Sequence, residues 1–148
     1  MNALRATGLL DTSTVILLPR LSDPARLPAE PLISAVTLAE LSVGPLVART
    51  ASERANRQAH LQQAEADFEP LPFDAAAARS FGRVAASLHR RGRKPAARAY
   101  DALIAATALA NDLPLFTVNP GDFAGIDDLD LVTVPHPDHD SFATIPRS

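Results

Sequence analysis

Short apolar runs alternate along this chain with longer segments of helical periodicity. The apolar runs predict buried strands at 6–10, 32–36, 115–118 and 129–134, with a minor strand at 68–71. Helices are predicted at 15–18, 37–44, 52–67, 75–91 and 100–110. Those at 75–91 and 100–110 carry apolar residues at three- and four-residue spacing, whereas the helix at 52–67 has many polar groups. Strands that alternate with helices predict an α/β fold with a mainly parallel sheet.

The predicted helix at 100–110 is apolar over most of its surface. Leu103, Ile104, Thr107 and Ala108 recur at the spacing of a packed helix, and Asp101 lies in the first turn. An acid there favours the positive end of the helix dipole, which is a purely structural explanation for Asp101. Because sites in parallel sheets form outside the carboxyl ends of the strands, a functional explanation also exists.

Length and composition narrow the possibilities. The 148 residues suit one domain, predicted at 1–134, with a flexible tail at 135–148 that is rich in proline, histidine and aspartate. No cysteine is present, which excludes disulfides and thiolate-bound zinc and fits a cytoplasmic protein. No secretory signal or apolar stretch of membrane-spanning length is found. The net charge of -3 means that binding of a polyanion requires a local basic patch or a metal.

Four acids are predicted to meet at one edge of the sheet. Asp11 ends the first strand, Glu40 follows the second strand by one helical turn, Asp101 opens the apolar helix and Asp122 follows the fourth strand. Carboxylates that converge in this way repel one another unless a cation lies among them. Oxygen ligands favour Mg²⁺ or Mn²⁺, and such an ion can polarise a phosphoryl oxygen and acidify bound water. The pattern therefore indicates phosphodiester hydrolysis.

Each acid also has a structural interpretation. Asp11 can cap the turn at 12–14, and Glu40 can complete a capping box with Thr37. Asp122 lies in an Asn-Pro-Gly-Asp turn, where aspartate is common. The convergence of the four residues, not any one of them, carries the prediction.

Four motifs, in this order and spacing, resemble the PIN-domain family, and within it the VapC-type toxins of bacterial toxin–antitoxin pairs. They are Leu-Leu-Asp-Thr-Ser at 9–13, Ser-Ala-Val-Thr-Leu-Ala-Glu-Leu at 34–41, Tyr-Asp-Ala-Leu-Ile-Ala-Ala-Thr-Ala at 100–108 and Leu-Phe-Thr-Val-Asn-Pro-Gly-Asp-Phe at 115–123. The resemblance implies a Rossmann-like, five-stranded parallel sheet of order 3-2-1-4-5. It also implies an endoribonuclease dependent on Mg²⁺ or Mn²⁺.

The resemblance further assigns roles to residues and partners. It implies that Asp11, Glu40, Asp101 and Asp122 form the catalytic, metal-holding site, and that Ser13, Thr117 and Asn119 orient those acids. It implies a cognate antitoxin that blocks the acidic cleft, and a homodimer that forms a heterotetramer or larger assembly with that antitoxin. The apolar face around Val43, Leu46 and Val47 is a candidate for part of the dimer contact, or else belongs to the core.

A basic segment just before Asp101 is the candidate RNA-binding element. Its five cations are Arg90, Arg91, Arg93, Lys94 and Arg98, which can bind phosphates flanking a scissile bond. The alternative is a solvated cluster that suits the negative end of a helix dipole. The four histidines are scattered along the chain and receive no catalytic assignment.

Three rival functions share parts of this pattern. A phosphotransferase of the haloacid-dehalogenase type requires a second Asp where this chain has Ser13, and a receiver domain requires adjacent acids after the first strand. A non-cleaving PIN-like module that binds RNA or an antitoxin has no need for the intact set of acids. The nuclease interpretation uses all four of them.

Overall fold

A computed structural model describes residues 6–94 and 98–138 of the protein. Its strands and helices follow one another in the order β1 (Thr7–Leu10), α1 (Thr12–Leu17), β2 (Glu30–Leu32), α2 (Ala35–Leu46), α3 (Ala51–Asp67), α4 (Ala75–Arg90), α5 (Ala99–Ala110), β3 (Leu115–Thr117) and β4 (Leu131–Thr133). Short 3-10 turns follow α1, precede β2 and follow β3. The predicted α/β class is confirmed.

The sheet holds four parallel strands in the order β2-β1-β3-β4. The fifth strand, predicted at 68–71, is reduced to one bridge between Leu71 and Ser34 beside β2, so the five-stranded form is not confirmed. Leu71 N donates to Ile33 O at 2.9 Å, and Leu71 O accepts from Ala35 N at 2.8 Å. Pro70 and Pro72 flank Leu71 and have no N–H to donate, which limits the ladder to this single residue.

The second strand and second helix begin earlier than predicted. Strand β2 ends at Leu32, because Ser34 already serves as the N-cap of α2 through a 3.0 Å hydrogen bond from Val36 N to its hydroxyl. Of the predicted strand at 32–36, only Leu32 belongs to β2, so that prediction is wrong over most of its length. Pro45, expected to mark a break, lies inside the last turn of α2, which ends one residue later at Leu46.

Side-chain caps define the start of the next two helices. Thr50 accepts from Glu53 N at the start of α3, and Asp74 accepts from Ala77 N at 3.0 Å at the start of α4, as predicted for Asp74. Helix α5 lies within one residue of its predicted position. The predicted bounds of these three helices are confirmed to within one residue at each end.

The core fills both faces of the sheet. Leu9 and Leu10 are fully buried neighbours on β1, and because strand side chains alternate, they enter different apolar clusters. Leu9 packs with residues of α4 and α5, including Val84 and Ile104, whereas Leu10 packs with residues of α1 and α2. A sheet covered on both faces leaves its carboxyl edge as the place where polar side chains reach solvent.

The end of α2 carries an exposed apolar patch. Val43, Leu46 and Val47 are 45%, 85% and 61% exposed, so their interpretation as core residues was wrong.

At the other end of the described chain, Arg20 Nη2 lies 2.9 Å from Asp138 Oδ1. The rest of the predicted tail, from 139 onward, falls outside the described residues, and its flexibility stays a prediction. Over 6–94 and 98–138, no helix has the length and apolar character required to span a bilayer.

Candidate functional site

Asp11 is the most buried of the four acids, at 2% exposure. It ends β1 and caps α1, where its Oδ1 accepts from Thr14 N at 3.2 Å and from the Thr14 hydroxyl. Its Oδ2 accepts from Ser13 Oγ and from Thr117 Oγ1, both at 2.9 Å. Capping, the structural interpretation of Asp11, is therefore real, but it uses only one of the two carboxylate oxygens.

Two further contacts hold the donors to Asp11 in position. Asn119 Nδ2 donates to Ser13 Oγ at 3.1 Å, and Asn119 N donates to Thr117 Oγ1 at 2.9 Å. All three residues predicted to orient the acids thus lie in one network around Asp11. Burial raises the pKa of Asp11 above its usual range, although the hydrogen bonds from Thr14, Ser13 and Thr117 oppose that rise.

Glu40 projects from α2 toward the start of α1. The Thr12 hydroxyl donates to Glu40 Oε1 and also lies 3.0 Å from the Thr37 hydroxyl. The capping-box interpretation of Glu40 was wrong, since Ser34 caps α2 and Thr37 lies inside the helix. Desolvation raises the pKa of Glu40, with a further contribution from the negative charge of Asp11. Glu40 therefore faces the same cleft as Asp11.

Asp101 and Asp122 form the other side of the cleft and share one cation. Asp101 lies in the first turn of α5, and Asp122 lies in the 3-10 turn Pro120–Phe123 that follows β3. Arg98 Nη1 lies 3.1 Å from Asp122 Oδ1 and 3.7 Å from Asp101 Oδ2. The Arg98 side chain is 55% exposed, so this positive charge lies at the mouth of the cleft.

The electrostatics of Asp101 connect all four acids. Burial is the main reason why the pKa of Asp101 rises to about 6, and the negative charges of Asp122, Asp11 and Glu40 raise it further. The positive charge of Arg98 acts in the opposite direction and lowers the pKa of Asp101. The structure therefore brings the four acids close enough for their charges to interact, which is the convergence that the sequence predicted.

The donor set suits a hard divalent cation, but the side chains are not arranged around one. Carboxylate oxygens are the ligands that Mg²⁺ and Mn²⁺ prefer, and mutual repulsion gives them a reason to bind a cation. Among the described residues, no three acidic or histidine side chains are already grouped to hold a metal. Charge repulsion acts over several ångströms, whereas Mg²⁺ coordination requires about 2.0–2.1 Å. The four acids can therefore influence one another's charge although no three of them are positioned to bind one ion.

The five cations of the basic segment divide into two groups. Arg90 and Arg91 both pair with Asp127, which lowers the pKa of that carboxyl mainly through its hydrogen bond with Arg91. The other three cations lie beside the acids and line a cavity together with Asp101 and Asp122; they are Arg93, Lys94 and Arg98. Arg93 Nη1 also donates to the carbonyl of Ala124. The sequence shows that the five cations lie close together along the chain, but it does not show that they divide into these two groups.

Three threonines of the site were missed by the sequence analysis. Thr12 and Thr37 contact each other near Glu40, and the Thr14 hydroxyl donates to Asp11 while it accepts from Val118 N at 3.1 Å. Thr14 and Thr37 are fully buried. The available signal was the run of three hydroxyl residues at 12–14 directly after Asp11, because a buried hydroxyl requires a hydrogen-bond partner.

An α/β domain whose acids meet at the carboxyl edge of a parallel sheet has clear relatives. Residues 9–129 match the family model described as PIN domain. The chain is 42% identical over 129 residues to Ribonuclease VapC5 of Mycobacterium tuberculosis, covering 86% of this chain and 93% of that protein. It is 35% identical over 136 residues to Ribonuclease VapC4 of the same organism, covering 90% and 100%.

A solved structure gives the same result. The crystal structure of VapBC-5 from M. tuberculosis, a member of the VapBC family of toxin–antitoxin systems, matches with a TM-score of 0.74 and 40% identity over 87% of this chain and 98% of that chain. The chain therefore belongs to the PIN-domain family. Within that family it is of the VapC type, as the motifs predicted.

Proposed function

We propose that this protein is an endoribonuclease that requires Mg²⁺ or Mn²⁺ and is the toxin of a toxin–antitoxin pair. The observation that carries the proposal is the convergence of four carboxylates at the carboxyl edge of the sheet, where burial, followed by the negative charges of Asp122, Asp11 and Glu40, raises the pKa of Asp101 to about 6. Perturbed carboxylates that converge in a cleft are typical of functional sites. The VapC relatives, which are named ribonucleases, support RNA as the substrate.

In this proposal Asp11, Glu40, Asp101 and Asp122 hold the metal. When bound, the ion supplies a polarised phosphoryl oxygen and a more acidic water. Thr117 and Ser13 keep Asp11 Oδ2 in a fixed direction, which preserves the ligand geometry. With a pKa of about 6, Asp101 is mostly ionised at neutral pH and is available to a cation. Arg98 gives up its position between Asp101 and Asp122 and then faces the incoming phosphates.

The proposed partners follow from the same relatives. The VapBC-5 structure comes from a family of toxin–antitoxin systems, which supports a cognate antitoxin for this chain. We place the homodimer contact at the exposed patch of Val43, Leu46 and Val47, because these apolar side chains are otherwise in water. A heterotetramer or a larger assembly with the antitoxin would follow.

Cleavage of structured RNA by the purified protein tests the nuclease. We expect cleavage with Mg²⁺ or Mn²⁺, none with a chelator, and a loss of more than about a hundredfold in Asp101→Asn, beyond the 10–100-fold typical when a supporting group is removed. Asp112→Asn is a matched control at the other end of α5, because Asp112 is exposed and asparagine tolerates its φ of 52°. Undiminished cleavage by Asp101→Asn would remove Asp101 from the site.

The same experiment addresses a second function, a PIN-like module that binds RNA or an antitoxin without cleavage. The observation in its favour is that no three acids are already grouped for a metal in the described part of the chain. That function would be favoured over the nuclease if neither ion raised the thermal midpoint of the protein or supported cleavage of any structured RNA.

A further inference from the structure

A cavity of about 260 Å³ opens beside the acidic cleft. Its apolar lining, which we call the floor, consists of Leu88 from α4, Ala102 from α5 and Ile126 from the loop before β4. Asp101 and Asp122 also line this cavity, so it adjoins the site of the proposed reaction. Its volume falls slightly below the ~300–1,000 Å³ of pockets for drug-sized ligands, which indicates room for a small group.

The rim of this cavity is basic. Arg93, Lys94 and Arg98 line the cavity, and the hydrogen bond from Arg93 Nη1 to the Ala124 carbonyl fixes the Arg93 guanidinium. Three cations oppose the entry of a positively charged side chain from a partner protein. They attract phosphates, and their guanidinium planes can also stack on a base.

An anion alone suits this cavity poorly. A phosphate seated on the apolar floor would leave water without gaining a hydrogen bond from Leu88, Ala102 or Ile126, and it would approach the carboxylates of Asp101 and Asp122. A neutral, flat, largely apolar group with a phosphate on the outer side satisfies both the floor and the rim. A nucleotide in single-stranded RNA has this construction.

We propose that this cavity is a subsite for the base of a nucleotide that adjoins the scissile phosphate of an RNA substrate. The base lies on the floor of Leu88, Ala102 and Ile126, and its outer phosphate contacts Lys94 and Arg93. Arg90 and Arg91, which are paired with Asp127, take no part. The assignment rests on the proposed ribonuclease function and adds to it a place where the RNA is held.

Binding of mononucleotides tests the subsite without any reaction. The ¹⁵N-labelled protein is titrated in the presence of EDTA with millimolar AMP, GMP, CMP or UMP, and with ribose 5-phosphate as a ligand that has the phosphate but no base. We expect at least one nucleotide to shift the amide resonances of Leu88, Ala102 and Ile126, and ribose 5-phosphate to leave them in place. Absence of nucleotide-induced shifts, or equal shifts with ribose 5-phosphate, would overturn the base subsite.

A matched pair of variants links the cavity to RNA. Ile126→Phe fills the floor, whereas Leu113→Phe adds a ring in a separate groove next to the amino end of β3, which none of the four acids lines. In cleavage of a short RNA we expect Ile126→Phe to raise KM about fivefold or more, with kcat changed much less, and Leu113→Phe to resemble the wild type. Circular dichroism confirms that both variants fold, and Ile126→Ser replaces Ile126→Phe if the latter does not.

The outcomes separate the subsite from the nuclease. RNA cleavage by the wild type with an unchanged KM in the Ile126 variant would refute the subsite and leave the nuclease standing. Nucleotide-specific shifts in a wild-type protein that cleaves no RNA would refute the nuclease and leave a base-binding cavity.

Discussion

Replacement of Asp101 by asparagine is expected to stabilise the metal-free protein at neutral pH. The pKa of Asp101 rises from 3.8 to about 6 on folding, so the ionised carboxylate is less favourable in the folded chain than in the unfolded one. Each tenfold change in an acid dissociation constant corresponds to 1.36 kcal/mol, which gives about 3 kcal/mol as an upper bound. Because neighbouring groups and solvent can adjust, we expect a gain of about 1–3 kcal/mol.

The sign of the pH dependence follows from the direction of the shift. A carboxyl with a raised pKa binds its proton more tightly in the folded protein, so its contribution to stability is greatest below pH 4 and is lost as the pH rises through about 6. The advantage of Asp101→Asn should therefore be large at pH 7.5 and small at pH 4. In a chain of this size 1 kcal/mol shifts the thermal midpoint by roughly 2–4 °C, so a rise of roughly 2–12 °C is expected at pH 7.5.

Thermal and urea unfolding in EDTA at both pH values measure the effect. Glu65→Gln is the matched control, since Glu65 is exposed on α3 and does not contribute to the pKa of Asp101. We expect this control to leave the midpoint within about 0.5 kcal/mol of wild type. A destabilised Asp101→Asn protein at pH 7.5, or a gain of equal size at pH 4, would refute the raised pKa of Asp101. When Mn²⁺ replaces EDTA, it should stabilise the wild type more than Asp101→Asn and so reverse the order of their thermal midpoints.

Three further changes probe the site and its frame. Arg98→Gln should tighten Mn²⁺ binding about three- to tenfold in calorimetry at pH 8, because it removes a competing cation from two partly exposed ion pairs. The control Arg90→Gln should leave the Mn²⁺ affinity unchanged, and an unchanged affinity in Arg98→Gln would exclude competition between Arg98 and the metal. Thr117→Val should leave Asp11 Oδ2 one donor short and lower Mn²⁺ affinity 10–100-fold by the same method, and wild-type affinity would show that Thr117 does not orient Asp11. Gly8→Ala should lower the free energy of urea unfolding by about 1–3 kcal/mol, because the added Cβ would lie 2.3 Å from Phe116 Cε1. An unchanged urea midpoint in this variant would contradict the close approach of Gly8 and Phe116.

The sequence predicted helices and strands best where the local signals agree with one another. Helix α4 has a capping aspartate at Asp74 and a single apolar stripe, and both are local features. The strand at 68–71 failed because apolar character outweighed the two prolines in the prediction, although the prolines limit hydrogen bonding in the sheet. Ser34 and Thr37 are both good caps, and only the position of Leu71 beside Ser34 decides between them.

The site shows the same division. The positions of Asp11 and Asp122 follow from the rule that parallel strands deliver their carboxyl ends to one edge. The partner of Glu40 does not, because its contact with Thr12 joins residues 28 positions apart. Nor could composition separate Arg90 and Arg91, which pair with Asp127, from Arg93, Lys94 and Arg98 beside the acids. Long-range pairing of this kind depends on how helices cross the sheet.

The hydroxyl of Thr14 is shared between the Asp11 carboxylate and the amide of Val118 at the end of β3. A displacement of that strand end would therefore carry the Asp11 carboxylate with it, and this wall of the cleft is expected to behave as one rigid unit. The opposite wall depends on a half-exposed guanidinium that lies across two acids. If the proposed function holds, adaptation to differently shaped substrates should therefore arise on the Arg98 side, where residues can vary without loosening the sheet.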